Sequence, residues 1–241
     1  MMRTVIIIPA LNEDAAIGGV VTRVRDRVDR VIVVDNGSTD RTSEVAAAAG
    51  AETLFVAVPG YGRACLAGVA AAGDAEILIF MDGDGADDPD DLESLIAPIR
   101  SGQADFVVGS RALGTRERGA LTLPQRLGNA LATRLMRLFW GGSFTDLGPF
   151  RAIRRSAYLS LKMQAPTYGW TVEMQVRALK RRLRCVEVPV AYRRRIGVSK
   201  ISGTVKGVVL AGTYILGTIF REAALPGPRR EAARAQSNRS R

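Results

Sequence analysis

The sequence predicts an α/β fold, a mostly parallel central sheet with helices on both faces. Two observations carry that expectation. Runs of consecutive apolar, mostly β-branched residues alternate with helical segments through the first 110 residues. Several of these runs end abruptly in turns rich in Asp, Asn and Gly, and in such sheets the carboxyl ends of the strands carry the ligand site.

The elements follow in order. Val5-Ile6-Ile7-Ile8 is a strand ended by Pro9, and a helical pattern runs from about Asp14 to Arg27. Val31-Ile32-Val33-Val34 is closed by Asp35-Asn36-Gly37. Asp40 is placed to cap the Ala-rich helix 41–49, which Gly50 stops. A strand over about Glu52–Val56 leads through Pro59-Gly60-Tyr61-Gly62 into a small-residue helix 63–72. Ile77–Met81 ends in Asp82-Gly83-Asp84, and a helix from about Pro89 to Arg100 precedes a strand over Asp105–Gly109. After residue 110 the alternation breaks. Helices are expected over 124–139, 154–161 and 169–182, a short strand near Val186–Val190, and a largely apolar helix over 203–220. That last segment is shorter than the roughly 20 apolar residues needed to span a bilayer. It suits a buried helix, an interfacial helix or an oligomer contact. The basic stretch 226–241 has no apolar period and is expected to be disordered.

Composition narrows the chemistry. The chain has 241 residues, two cysteines and no histidine. Ser-His-Asp and Cys-His nucleophile schemes and His-ligated zinc or iron sites are thereby excluded, and so is a disulfide framework. Residues 1–110 carry 8 Lys+Arg against 18 Asp+Glu, and residues 111–241 carry 26 against 6. An acidic half suited to a cation and a basic half suited to anions fit this division better than a uniform nucleic-acid coat does.

Three acidic turns, Asn12-Glu13, Asp35-Asn36-Gly37 and Asp82-Gly83-Asp84, follow strand ends and should converge on one sheet edge. Asp82 and Asp84 are spaced to hold a hard divalent cation that also touches phosphate oxygens. An EF-hand is excluded because Ala86 stands at the fifth loop position and no Glu at the twelfth. Asp35 is left free for a ligand, since Asn36-Gly37 makes the turn and Asp40 caps the helix. Gly60-Tyr61-Gly62 lacks the third glycine of a dinucleotide fingerprint and follows the wrong strand. Asp146 and Arg151 flank a Gly-Pro bend. Arg193-Arg194-Arg195 with Gly197, Ser199 and Lys200 forms a basic loop suited to phosphate oxygens.

In this order, over roughly residues 4–220, these pieces resemble family 2 glycosyltransferases of the GT-A fold, the dolichyl- or polyprenyl-phosphate mannosyl- and glucosyltransferases above all. The resemblance rests on Pro9-Ala10-Leu11-Asn12-Glu13, Asp35 to Asp40 and Met81-Asp82-Gly83-Asp84. It continues through Val108-Gly109-Ser110-Arg111, Asp146 to Arg151, Tyr168-Gly169-Trp170 with Glu173-Met174, and Arg194 to Lys200. It implies a metal-dependent, inverting transfer of a hexose from a UDP- or GDP-sugar, with a polyprenyl phosphate as the leading acceptor.

The same resemblance implies the residue roles. Pro9, Leu11, Asn12, Glu13, Asp35, Gly37, Asp82, Gly83, Arg111, Arg194, Ser199 and Lys200 would bind the nucleotide-sugar. Asp82 and Asp84 would hold Mg²⁺ or Mn²⁺. Arg126 and Arg151 would receive the acceptor phosphate, and Asp84, Asp146, Arg151 and Glu173 would serve catalysis. Residues 1–225 would then be one GT-A domain, with a nucleotide-binding half 1–110 and an acceptor half 111–225. The 203–220 helix would lie on the cytoplasmic face of a membrane or join two copies, and nucleic acid is not an expected partner. Three features depart from the relatives: Gly148-Pro149-Phe150-Arg151 in place of a shorter Gly-Phe-Arg end, the acidic stretch after Asp84, and the lack of membrane-spanning helices after residue 220.

Rivals are defined by chemistry. A hydroxyl acceptor would need Asp146 or Glu173 as a base. A sugar-nucleotide pyrophosphorylase would need a glycine-rich basic loop where Asn12-Glu13 stands. A non-catalytic basic module would bind with steep salt dependence and tolerate Asp84→Asn.

Overall fold

The structure is a computed structural model that describes residues 2–197 and 205–225. Ser199, Lys200 and the 226–241 tail lie outside the described residues. Seven strands form one sheet: β1 (Thr4–Ala10), β2 (Arg30–Asp35), β3 (Glu52–Phe55), β4 (Ile77–Phe80), β5 (Phe106–Ser110), β6 (Arg151–Arg154) and β7 (Cys185–Pro189). Their order is β3-β2-β1-β4-β6-β5-β7. All pairings are parallel except those of β6, which runs antiparallel to both β4 and β5. The sequence reading has no strand at β6. Its segment Arg-Ala-Ile-Arg carries two arginines in four residues and reads as a loop. Arg151 nonetheless enters the sheet because its guanidinium finds backbone carbonyls inside.

The apolar runs are buried on both faces, as a sheet between two helical layers requires. Val5 and Ile7 of β1 join one core with Leu78 and Phe80 of β4; Ile6 and Ile8 join the other with Ile77 and Ile79. Helices α1 (Asp14–Val24), α2 (Thr42–Ala48) and α4 (Leu92–Arg100) cover the second core. The first is covered by α3 (Tyr61–Ala71), α5 (Leu123–Trp140), α6 (Arg155–Leu161), α7 (Trp170–Lys180) and α8 (Val205–Ala224). Helix α5 starts with a reciprocal cap between Thr122 and Gln125 and stops at Gly141, whose φ of 72° suits glycine. No helix among the described residues is long and apolar enough to cross a membrane.

Helix α8 is fastened to α7 by charge as well as by Ile219. Glu222, buried, accepts from Arg177 at 2.9 Å and Lys180 at 3.0 Å. Burial alone would raise the Glu222 carboxyl, yet Lys180 and Arg177 hold it below its ordinary value. Glu222→Gln is expected to cost about 1–3 kcal/mol in urea unfolding. A carboxyl lowered on folding contributes stability that is present above its unfolded value and lost as pH falls through the folded one. The gap between wild type and variant should therefore close on acidification below about pH 4.

Candidate active site

The turns after β1 and β2 are laced together. Asn12 takes a left-handed φ of 53°, which Asn tolerates better than most residues. Its amide donates to Ser38 Oγ at 2.9 Å, its Oδ1 accepts from the Thr39 amide at 2.7 Å, and the Glu13 amide donates to Thr42 Oγ1 at 2.8 Å. Asp35 is part of this lacing. Its Oδ1 accepts from the Ser38 amide at 2.7 Å and its Oδ2 from Ser43 Oγ at 2.5 Å. The turn expected from Asn36-Gly37 also uses both Asp35 oxygens, beside Gly37 at φ 87°, and each oxygen keeps a further lone pair for a ligand.

The turn after β4 concentrates carboxylates. Asp82 accepts from the Tyr61 hydroxyl at 3.1 Å, and Tyr61 packs edge-on against Trp170. Asp84, buried, accepts from the Ala86 amide at 2.9 Å. A Cβ at Gly83 would approach the end of the Ile17 side chain at 3.2 Å, and Gly85, at φ 74°, makes the turn. Asp87 is buried behind them. Its Oδ2 accepts from the Asp82 amide at 3.4 Å, while its Oδ1 has no hydrogen-bond partner among the described residues. Burial and then the Asp84 charge push Asp82 up to about 7, and burial with both neighbours pushes Asp87 well up too.

Compensating cations come from the basic loop, whose three arginines diverge. Arg195 faces the acidic turns, donating to Glu13 Oε1 at 2.8 Å and lying 3.4 Å from Asp84 Oδ2. Arg194 turns outward, its amide to Glu117 Oε2 and its Nε to the Arg118 carbonyl, both at 2.8 Å. Arg193 pairs with Asp88 at 2.5 Å. The residue of this loop that reaches the acidic turns is thus Arg195, which the sequence reading passed over in favour of Arg194.

Arg111 and Asp146 form a two-pronged ion pair, Nε to Oδ2 at 2.7 Å and Nη2 to Oδ1 at 2.8 Å, and the Arg111 amide donates to Oδ2 at 2.8 Å. Burial would neutralise both groups. The pairing prevails, lowering Asp146 and raising Arg111. Arg111 also lies over the Tyr192 ring at 4.9 Å.

Two compartments open beside these residues. A cavity of about 170 Å³ is lined by Pro9, Leu11, Glu13, Asn36 and Gly83, among others. A cavity of about 610 Å³ is lined by Arg111, Asp146, Arg126 and residues of α5 and α8. Tyr61, Asp82, Asp84, Tyr168 and Arg195 line both. Asn12, Asp35, Gly37 and Arg194 line neither. Arg151 is wholly buried, its guanidinium donating to the Leu147, Gly148 and Thr171 carbonyls, and burial brings it down to about 10. Glu173 is also wholly buried. It accepts from the Gln164 and Ala165 amides and pairs with Arg177 and Arg221. The structure therefore places Arg151 and Glu173 behind the cavity walls, where each satisfies protein groups.

Among the described residues no three His, Cys, Asp or Glu side chains are grouped to hold a metal ion. Asp82 and Asp84 supply an all-oxygen, partial donor set, and the raised Asp82 and Asp87 carboxyls mark a turn where ionised carboxylates repel one another. Such a set fits a hard divalent cation whose remaining ligands come from a bound phosphate.

A family model described as Glycosyl transferase family 2 matches residues 5–161. The chain belongs to glycosyltransferase family 2. An uncharacterized glycosyltransferase of Mycobacterium tuberculosis is 36% identical over 209 residues, covering 86% of this chain and 93% of its own. An undecaprenyl-phosphate mannosyltransferase of Micrococcus luteus is 31% identical over 221 residues, covering 86% and 90%. The structure of glucosyl-3-phosphoglycerate synthase from M. tuberculosis, with Mn²⁺, UDP-glucose and phosphoglyceric acid, superposes with a TM-score of 0.77 at 23% identity, covering 94% of this chain and 82% of that one. The fold of this glycosyltransferase is thus GT-A.

In this family 2 enzyme, Asp146→Ala leaves a buried guanidinium unpaired and should destabilise the fold by about 3–5 kcal/mol in denaturant titration. Replacing Arg111 and Asp146 together by Met and Leu should cost clearly less than the single change. A double replacement as costly as Asp146→Ala would contradict the pairing.

Proposed function

We propose that this chain transfers a hexose, with inversion, from a UDP- or GDP-sugar to a polyprenyl phosphate, using Mg²⁺ or Mn²⁺ held by Asp82 and Asp84. The observation that carries the reading is that these two carboxylates line both compartments. The small one, against Pro9, Leu11 and Glu13, takes the nucleotide. The large one takes the acceptor. The sugar then sits where they meet, with its leaving diphosphate beside Asp82, Asp84 and Arg195.

The cation, when bound, supplies positive charge to the diphosphate as it departs. The chain supplies the rest. Asp82 and Asp84 lose their mutual repulsion as the donor complex forms. Arg195 exchanges its contacts with Glu13 and Asp84 for phosphate oxygens, a change of partner between like anions. Arg111, kept charged and oriented by Asp146, faces the same junction from the acceptor side.

The state of the two carboxylates expected to act as bases for a hydroxyl acceptor supports the acceptor class. Asp146 is committed to Arg111 and held acidic, and Glu173 is buried behind the wall with both oxygens in use. Neither is poised as a base for a hydroxyl. A phosphate monoester is already an anion and needs none. Arg126, Arg134 and Arg137 line the large compartment and suit such a group. The names of two relatives, the undecaprenyl-phosphate mannosyltransferase and a dolichyl-phosphate hexose transferase of Haloferax volcanii 31% identical over 216 residues, support the same acceptor. The Mn²⁺ and UDP-glucose bound to the solved synthase support the donor and the metal. A lipid acceptor places the enzyme at a membrane surface, and a nucleotide-sugar donor places it on the cytoplasmic face.

Thermal melting with UDP- and GDP-sugars should show a rise for members of one base series, larger with Mn²⁺ present. Asp84→Asn should abolish the Mn²⁺-dependent part and lower transfer by about 10²–10³-fold. Arg195→Ala should weaken donor binding more than Arg194→Ala does. No rise with any donor, or Arg194→Ala as the more damaging variant, would count against the reading. Organic extraction should recover a lipid-linked phosphosugar from a reaction supplied with polyprenyl phosphate.

A further inference from the structure

Gly60-Tyr61-Gly62 opens α3 without being a dinucleotide fingerprint, and contact with the chain explains its two glycines. A Cβ at Gly60 would collide with the Pro166 carbonyl oxygen, and a Cβ at Gly62 with the Ala165 carbonyl oxygen. The start of α3 is pressed against the backbone of residues 165–166, a closeness that glycine permits. Hydrogen bonds fix the same place. The Gly60 amide donates to Asn36 Oδ1 at 2.6 Å, and the Arg63 amide to the Pro166 carbonyl at 3.0 Å. Glu173 anchors the opposing segment, accepting from the Gln164 amide at 3.0 Å and the Ala165 amide at 2.7 Å. Asn36 belongs to the turn after β2 and Glu173 to α7, so the start of α3 is held from two sides.

Tyr61 stands between the two glycines. Its ring packs edge-on against Trp170, with centroids 6.1 Å apart, and Trp170 packs in turn against Phe80 of β4 at 4.7 Å. Trp170 and Phe80 are wholly buried. A ring seated in this way has few rotamers left, so its hydroxyl is delivered to one point. That point is Asp82 Oδ1, 3.1 Å away. The terminal torsion of an aspartate is soft, and a hydrogen bond to one oxygen decides which way the other faces.

We infer that Tyr61 is a positioning residue of the transfer: its hydroxyl, seated by Gly60 and Gly62, holds the Asp82 carboxylate in the attitude that receives the divalent cation. The inference rests on the reading of Asp82 and Asp84 as cation ligands and assigns the orientation of one of them to a neighbour. Outer partners that orient a ligating group carry about 10–100-fold in metal affinity or activity.

Titration of the full chain with Mn²⁺, alone and with UDP or GDP, followed by the paramagnetic resonance of free Mn²⁺, tests this. Tyr61→Phe keeps the ring and its seat and removes the hydroxyl. It should keep a cooperative melt and weaken Mn²⁺ binding by about tenfold or more. Transfer measured across Mn²⁺ concentrations should show the same shift in half-saturation, with most of the rate regained at saturating metal. Tyr158→Phe removes another tyrosine hydroxyl from the same core, beside Phe80, and should leave Mn²⁺ affinity unchanged. The role of Tyr61 is overturned if Tyr61→Phe binds Mn²⁺ as tightly as wild type, if it loses its cooperative melt, or if Tyr158→Phe weakens binding equally. Asp82→Asn separates the two readings. If it weakens Mn²⁺ binding and Tyr61→Phe does not, only the role of Tyr61 falls. If it binds Mn²⁺ as wild type does, the cation reading falls and the role of Tyr61 falls with it.

Discussion

The site depends on electrostatic crowding at the end of β4. Asp82, Asp84 and Asp87 are drawn together in a partly desolvated turn, and their mutual repulsion is an energetic cost that the fold sustains. Arg195 offsets part of it through Glu13 and Asp84. Arg111 is largely committed to Asp146. The crowding is built into the backbone, because the β4 register and Gly85 fix where these carboxylates sit. A small cavity under the β1 and β2 turns and a large arginine-lined cavity open beside it.

Several arginines near the site are held by protein groups: Arg111 by Asp146, Arg177 by Glu173 and Glu222, Arg193 by Asp88, and Arg151 by three backbone carbonyls. Asp146, in the wall of the large cavity, and Glu173, behind it, are likewise committed to protein partners. With Asp146 and Glu173 so committed, neither serves as a free base.

Much of this was legible in the sequence. The continuous apolar runs at β1, β2, β4 and β5 announced buried parallel strands, and the carboxyl-end rule brought Glu13, Asp82 and Asp84 together before any coordinates. Four features were not legible, each for a physical reason. Strand β6 hid because Arg151 and Arg154 look like loop residues, although Arg151 is satisfied by carbonyls supplied by distant segments. The part Asp35 plays in its turn was hidden because its partners, Ser38 and Ser43, are small polar residues that signal nothing singly. Arg195 was indistinguishable from Arg194 until the chain fixed which side each faces. Tyr61 sat in a Gly-rich stretch that reads as a turn, while its hydroxyl reaches Asp82 from the start of α3.

The most direct test of the central claim is a crystal structure of the enzyme grown with Mn²⁺ and UDP, read by anomalous scattering at the manganese edge. The anomalous peak is expected in contact with the Asp82 and Asp84 carboxylates, with the diphosphate beside it and Arg195 turned onto phosphate. A peak elsewhere, or UDP bound with its diphosphate away from the β4 turn, would contradict it.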